Sequence, residues 1–100
     1  MKVAINRNYG GFHLSDEAVE FLKKKGINDE AELYGLTWGQ FKRTDPLLIE
    51  VIEKVENKNP LSSIEIIEIP DESTDFDINE YDGCESVIYV LNGKIKHIWH

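Results

Sequence analysis

Two dipeptides, Asp82-Gly83 and Asn92-Gly93, constrain this chain more than any other feature. Asp-Gly and Asn-Gly accept positive φ at both central positions of a two-residue hairpin loop, where the backbone twist matches that of the flanking strands. The segments they join, 76–82, 85–91 and 94–99, are short and mix β-branched, aromatic and polar residues. Together they predict an antiparallel meander. Residues 62–69, SSIEIIEI, read as a further strand, with Ile64 and Ile66 on one face and Ile67 and Ile69 on the other. A strand apolar on both faces is expected to be central, and Pro70 ends it. Residues 2–7, KVAINR, alternate: Val3, Ile5 and Arg7 share one face, and Lys2, Ala4 and Asn6 the other. This strand is expected to pair with 62–69.

Between these strands lie helical signals. Ser15 can cap a helix running to Lys25, with Asp16 and Glu17 at its positive end and Lys23, Lys24 and Lys25 at its negative end. Leu14 and Val19 occupy hydrophobic-staple positions, and Gly26 suits the left-handed residue that ends the helix. A second helix begins at Asp45-Pro46, carries Leu48, Val51, Ile52 and Val55 on one face, and stops before Asn59-Pro60. Residues 27–43 are less regular. Leu33, Leu36, Trp38 and Phe41 read as inward, Thr37 and Gln40 have capping-box spacing for a short turn, and Gly35 and Gly39 weaken any longer element. The chain has 100 residues, which suits one domain with one modest core. The expectation is a single α+β domain over 1–100: a mixed sheet of four to five strands with two helices packed on one face.

Charge is uneven. There are 11 Lys and Arg against 19 Asp and Glu, a formal net charge of −8. No Lys or Arg lies between Lys58 and Lys94, where Glu65, Glu68, Asp71, Glu72, Asp75, Asp77, Glu80, Asp82 and Glu85 fall. Such a field repels nucleic acid and favours cationic partners. No basic stripe stands ready to neutralise phosphates, so direct nucleic-acid binding is not expected. The plain alternative is a solvated surface that aids solubility. No apolar run approaches membrane-spanning length, and the opening residues lack a signal-peptide pattern. The lone Cys84 suits a reducing compartment. The reading is a cytoplasmic protein away from membranes.

The richest candidate site is the segment from Arg7 to Ser15, a strand passing through glycines into a helix start, which is a geometry able to hold an anion. Its candidate ligand-binding residues are Arg7, Asn8, Tyr9, Gly10 and Gly11, joined by Arg43 if the two arginines converge on a phosphate. The segment is not a Walker A motif, and Asp16 and Glu17 place negative charge at the same amides. The competing reading is that Gly10-Gly11 only permits a tight turn, with Tyr9 and Phe12 in the core, and that Arg43 forms a surface ion pair with Asp45, itself a helix cap. His13, His97 and His100 lack metal-ligand spacing, residues 71–77 lack the glycine and spacing of a calcium loop, and Cys84 has no histidine beside it in sequence. No catalytic residue, metal site or cofactor is expected, and the chain does not read as an enzyme. Trp38 and Trp99 read as core residues or interface anchors.

The opening MKVAINRNYGGFHLSDEAVEFL resembles the start of a family of small phage and prophage proteins, whose members begin with a similar INR-x-[YF]-GGF-x-LS-x-EA run. The likeness continues at Arg43, Asp45 and Pro46 followed by LIEVIE, at IEIIEIP over 64–70, and at Glu80-Tyr81-Asp82-Gly83. It spans most of the chain outside 27–41. The end, VIYVLNGKIKHIWH, departs from the more charged segment with which members close. The resemblance implies an accessory binding protein of the host-cell cytosol. The leading expectation is a sponge that sequesters a small anionic, nucleotide-like ligand and so counters a host defence. The alternative is an acidic inhibitor of a host protein that mimics nucleic acid.

Overall fold

The computed structural model describes residues 1–7, 11–40 and 42–98. Among them, five strands form two antiparallel sheets. Strand β1 (Lys2–Asn6) pairs with β2 (Ile64–Glu68), with Val3 opposite Ile67 and Ile5 opposite Glu65. Strands β3 (Asp75–Tyr81), β4 (Cys84–Leu91) and β5 (Lys94–Ile98) form the meander. Both of its turns use positive φ at each central residue: Asp82 at 50° and Gly83 at 88°, Asn92 at 53° and Gly93 at 74°. That is the conformation for which Asp-Gly and Asn-Gly are selected.

Helix α1 (Asp16–Lys24) starts where Ser15 Oγ accepts the Ala18 N–H at 3.3 Å, and the left-handed Gly26 follows its end. Helix α3 (Pro46–Lys54) is capped by Asp45, whose Oδ1 accepts the N–H groups of Leu47 and Leu48 at 2.8 and 3.3 Å. A 3-10 turn, Glu56–Lys58, completes the descent toward Pro60. Between them lies a third helix, α2 (Glu30–Thr37), where the sequence predicts no long element. Asp29 caps it by accepting the Ala31 N–H at 3.2 Å. Thr37, expected to start a turn, instead ends the helix and donates its hydroxyl to Leu33 O at 2.7 Å. Gly35 is buried within the helix. Trp38, expected inward, is exposed and stacks loosely on Tyr34 and His13, with ring centroids 6.2 and 5.8 Å away.

The expected single mixed sheet is therefore corrected to two stacked antiparallel sheets, and the two expected helices to three. The α+β class holds. Three layers result. Ala4, Ile64 and Ile66 face the helices, packing with Leu22, Leu48 and Ile52. Val3, Ile5, Ile67 and Ile69 face the meander, packing with Val87 and Tyr89. This explains the doubly apolar strand 62–69: β2 is central in the stack of layers, although it has only one strand neighbour. No described helix is long and apolar enough to cross a membrane.

Candidate functional site

In an antiparallel pair, alternate residues turn their backbone groups away from the partner strand. On β1 the backbone groups of Val3 and Ile5 are directed to β2, so the N–H groups of Ala4 and Asn6 point to the open edge. Among the described residues, no strand covers that edge. Ala4 N–H donates instead to Arg43 O at 2.9 Å, and Asn6 N–H to Glu85 Oε1 at 2.7 Å. Arg43 Nη1 returns a hydrogen bond to Ala4 O at 3.2 Å. A loop arginine and a strand glutamate thus do what a third strand would have done.

The two side chains also hold each other. Arg43 Nη1 and Nη2 meet Glu85 Oε1 and Oε2 at 2.7 and 2.8 Å in a bidentate pair. Their side chains are only 14% and 7% exposed. Arg43 Nε donates to Gly39 O at 2.7 Å, and the guanidinium lies 4.1 Å from the centroid of the buried Phe12 ring. Gly39 is required there. It sits at φ +67°, and a Cβ would lie 2.6 Å from the Phe12 ring and 2.7 Å from Arg43 Nε. Asn6 closes the arrangement from β1: its amide donates to Gly83 O at 2.7 Å, and its side-chain oxygen accepts the Ser63 hydroxyl. A buried ion pair of this kind is costly to break, because the surviving charge is left without water or partner.

The predicted anion-site residues occupy these places. Arg43 is committed to Glu85, with Asp45 capping α3 rather than pairing with it. Arg7 lies past the end of β1 and pairs across the strands with Glu65, Nη1 to Oε2 at 2.7 Å. Its carbonyl accepts the Cys84 thiol at 3.3 Å. Gly11 adopts φ +90° with open space around it. Asn8, Tyr9 and Gly10 lie outside the described residues. Each guanidinium thus already holds a carboxylate, and the structure does not bring the two arginines onto a common acceptor.

Two carboxylates were missed at the level of sequence. Glu85 counted as one more acid of an exposed run, yet alternation places it on the same face of β4 as Val87 and Tyr89. A carboxylate in that register needs a cation or hydrogen-bond donors, and this is the available signal. Glu56, only 1% exposed, accepts the Ser15 N–H at 2.6 Å through Oε1 and the Ser62 hydroxyl through Oε2. It therefore ties the start of α1 to the segment leading into β2.

The remaining acids behave differently. Glu65, Glu68, Asp71, Glu72, Asp75, Asp77, Glu80 and Asp82 are all exposed. Asp71 meets the N-terminal amine, which holds its carboxyl below the ordinary aspartate range by hydrogen bond and charge. Among the described residues, Glu72, Asp75, Asp77, Glu80 and Asp82 form no ion pair. No cluster of three or more His, Cys, Asp and Glu positioned to hold a metal occurs among the described residues. The chain matches no family model, no curated protein and no solved structure.

Proposed function

We propose that this chain is a binding protein that presents its acidic surface to a basic surface of another protein. The observation that supports this is the division among the nine acids between Lys58 and Lys94. Glu85 is buried and structural, whereas the other eight are exposed. Five of these, Glu72, Asp75, Asp77, Glu80 and Asp82, form no ion pair among the described residues, and such carboxylates project a negative field that steers and orients a positively charged partner. In the phage setting that the opening motif implies, the partner is a host protein whose basic surface holds nucleic acid, and the carboxylates stand in for phosphates.

The nucleotide-sequestering reading comes second. It requires Arg7 to release Glu65 and Arg43 to release Glu85, so a bound phosphate exchanges one anion for another. At Arg43 the exchange would also strand a buried carboxylate and unseal the edge of β1.

The test is a titration of the protein with a labelled oligo-arginine peptide. Binding should weaken by about tenfold or more between about 50 and 200 mM salt, because charge complementarity between exposed groups is screened. Salt-insensitive binding, or none at low salt, refutes the reading. A thermal-shift screen with mono-, di- and cyclic nucleotides runs in parallel. A rise in Tm with one nucleotide, lost in Arg7→Ala, would restore the sponge in its place.

A further inference from the structure

The meander has two faces, and among the described residues one of them packs in the hydrophobic core. Val87, Phe76, Ile78, Tyr89 and Ile98 face β1 and β2. The register places Asp75 beside Val90 and Val90 beside Ile95 on the opposite face, with Asp77 beside Ile88 in the next row. Ile88 and Val90 are half-buried, and Ile95 is 76% exposed. With Asp75 and Asp77 they line a shallow groove of about 190 Å³. Lys94 and Lys96 alternate to the other face, opposite Leu91 and Tyr89, and do not offset these carboxylates. The nearby titratable group is His97, hydrogen-bonded to Ser86 at 2.8 Å.

The same aspartates close the edge of the sheet. A two-residue hairpin loop closes on a hydrogen-bonded pair, here Tyr81 with Cys84, so the odd-numbered residues of β3 bond to β4 and the N–H groups of Phe76 and Ile78 point outward. Asp75 Oδ1 accepts the Phe76 N–H at 2.9 Å, and Asp77 Oδ1 accepts the Ile78 N–H at 2.8 Å. An incoming strand would need those donors, and occupied donors guard an edge against strand addition. A partner is thereby directed across the face.

We propose that this face docks a basic amphipathic helix of a partner protein, with its cations on Asp75 and Asp77 and its aliphatic stripe on Ile88, Val90 and Ile95. Charge complementarity selects a basic partner, the occupied edge donors disfavour an added strand, and a helix can meet the spacing of the aspartates. Residues two apart on a strand are separated by about 6.8 Å. Residues i and i+4 on a helix are separated by about 6 Å along its axis, so two lysines one turn apart match the two aspartates. A helix lying on an open sheet face is also the ordinary way to cover one. This inference rests on the acidic-surface reading above and assigns it a location and a partner geometry.

The probe is a synthetic helical peptide with lysines at i and i+4 beside a leucine stripe, followed by fluorescence anisotropy. It is compared with a scrambled peptide of equal composition and with an alternating Val-Lys peptide that favours strands. Ile95→Glu should weaken binding of the helical peptide about tenfold or more, as should the double variant Asp75→Asn/Asp77→Asn. Asparagine retains an oxygen for the backbone N–H, so the double variant removes charge while the guarded edge stays intact. The Tm of each variant confirms folding, and Ile95→Ser serves if Ile95→Glu lowers it. Glu68→Gln/Glu72→Gln, elsewhere on the acidic surface, should change affinity less than about twofold. If that control costs as much as the Asp75/Asp77 pair, or the scrambled peptide binds equally well, this docking face is wrong and the general acidic-surface reading stands. Tighter binding of the Val-Lys peptide overturns the helical partner. Failure of every basic peptide to bind at low salt overturns both.

Discussion

Replacing Glu85 by glutamine keeps an oxygen for the Asn6 N–H and removes only the charge that Arg43 needs. The Arg43 and Glu85 side chains are 14% and 7% exposed and meet at 2.7 and 2.8 Å. Breaking one side of such a buried pair costs about 3–5 kcal/mol, because the other charge stays buried without its partner. A domain of this size has about 5–15 kcal/mol in total. With a urea slope of about 1.5 kcal/mol/M, the unfolding midpoint should fall by about 2–3 M. Glu85→Ala should cost about 1–3 kcal/mol more, since it also orphans the edge N–H of Asn6. Arg43→Met should be as damaging as Glu85→Gln, leaving a buried carboxylate and an unsealed Ala4 carbonyl. The double variant Arg43→Met/Glu85→Gln should cost clearly less than the sum, with a coupling of about 2–3 kcal/mol, because neither charge is then stranded. The assay is equilibrium urea unfolding of the four variants beside the unsubstituted protein, with amide exchange at Ala4 and Asn6 as a local reading of the sealed edge. Single-variant costs below about 1 kcal/mol, the range of exposed pairs, would refute the argument that this pair replaces a strand.

Other consequences are equally direct. Gly39→Ala should destabilise by about 2–4 kcal/mol, since it adds both a left-handed strain and a clash with Phe12 and Arg43. Gly93→Ala, at φ +74° but in open space, should cost only about 1 kcal/mol; comparing their Tm values separates the clash from the strain. Glu56→Ala should cost about 1–3 kcal/mol and speed amide exchange at Ser15, whose N–H loses its acceptor. Lys25 first, and Lys54 second, hold the Glu50 carboxyl below the ordinary glutamate range. The folded state therefore releases this proton more readily than the unfolded chain. The associated stability is complete above the ordinary glutamate pKa and is lost as pH falls through the lower folded value. Glu50→Gln should accordingly flatten the acid limb of a stability–pH curve, measured by urea midpoints.

The parts of the fold that were legible from sequence are those governed by local rules. The two hairpins follow from dipeptides that tolerate positive φ, α1 and α3 from their Ser15 and Asp45 caps, and the β1–β2 pairing from alternation. Helix α2 escaped because Gly35 argues against a helix on propensity, while in the fold it is buried inside the helix. The division into two sheets escaped for a different reason. Alternation shows that 62–69 is covered on both faces, and neighbouring strands or stacked layers satisfy that equally. What decides between them is the open edge of β1, which a side-chain pair 42 residues apart in sequence completes. No periodicity encodes that contact. One local rule still points to half of it: Glu85 shares its face with Val87 and Tyr89, and an acid in a core-facing register demands a cation or hydrogen-bond donors. The rule does not single out Glu85, since Glu80 lies directly opposite it and Glu65 lies opposite Ile5, and both are exposed at the surface with the other six. Two of those eight, Asp75 and Asp77, guard the edge of β3 with the oxygens that face the solvent side of the meander. The charge that keeps this edge from pairing is therefore the charge available to a partner on the adjoining face, so edge protection and recognition draw on the same two residues.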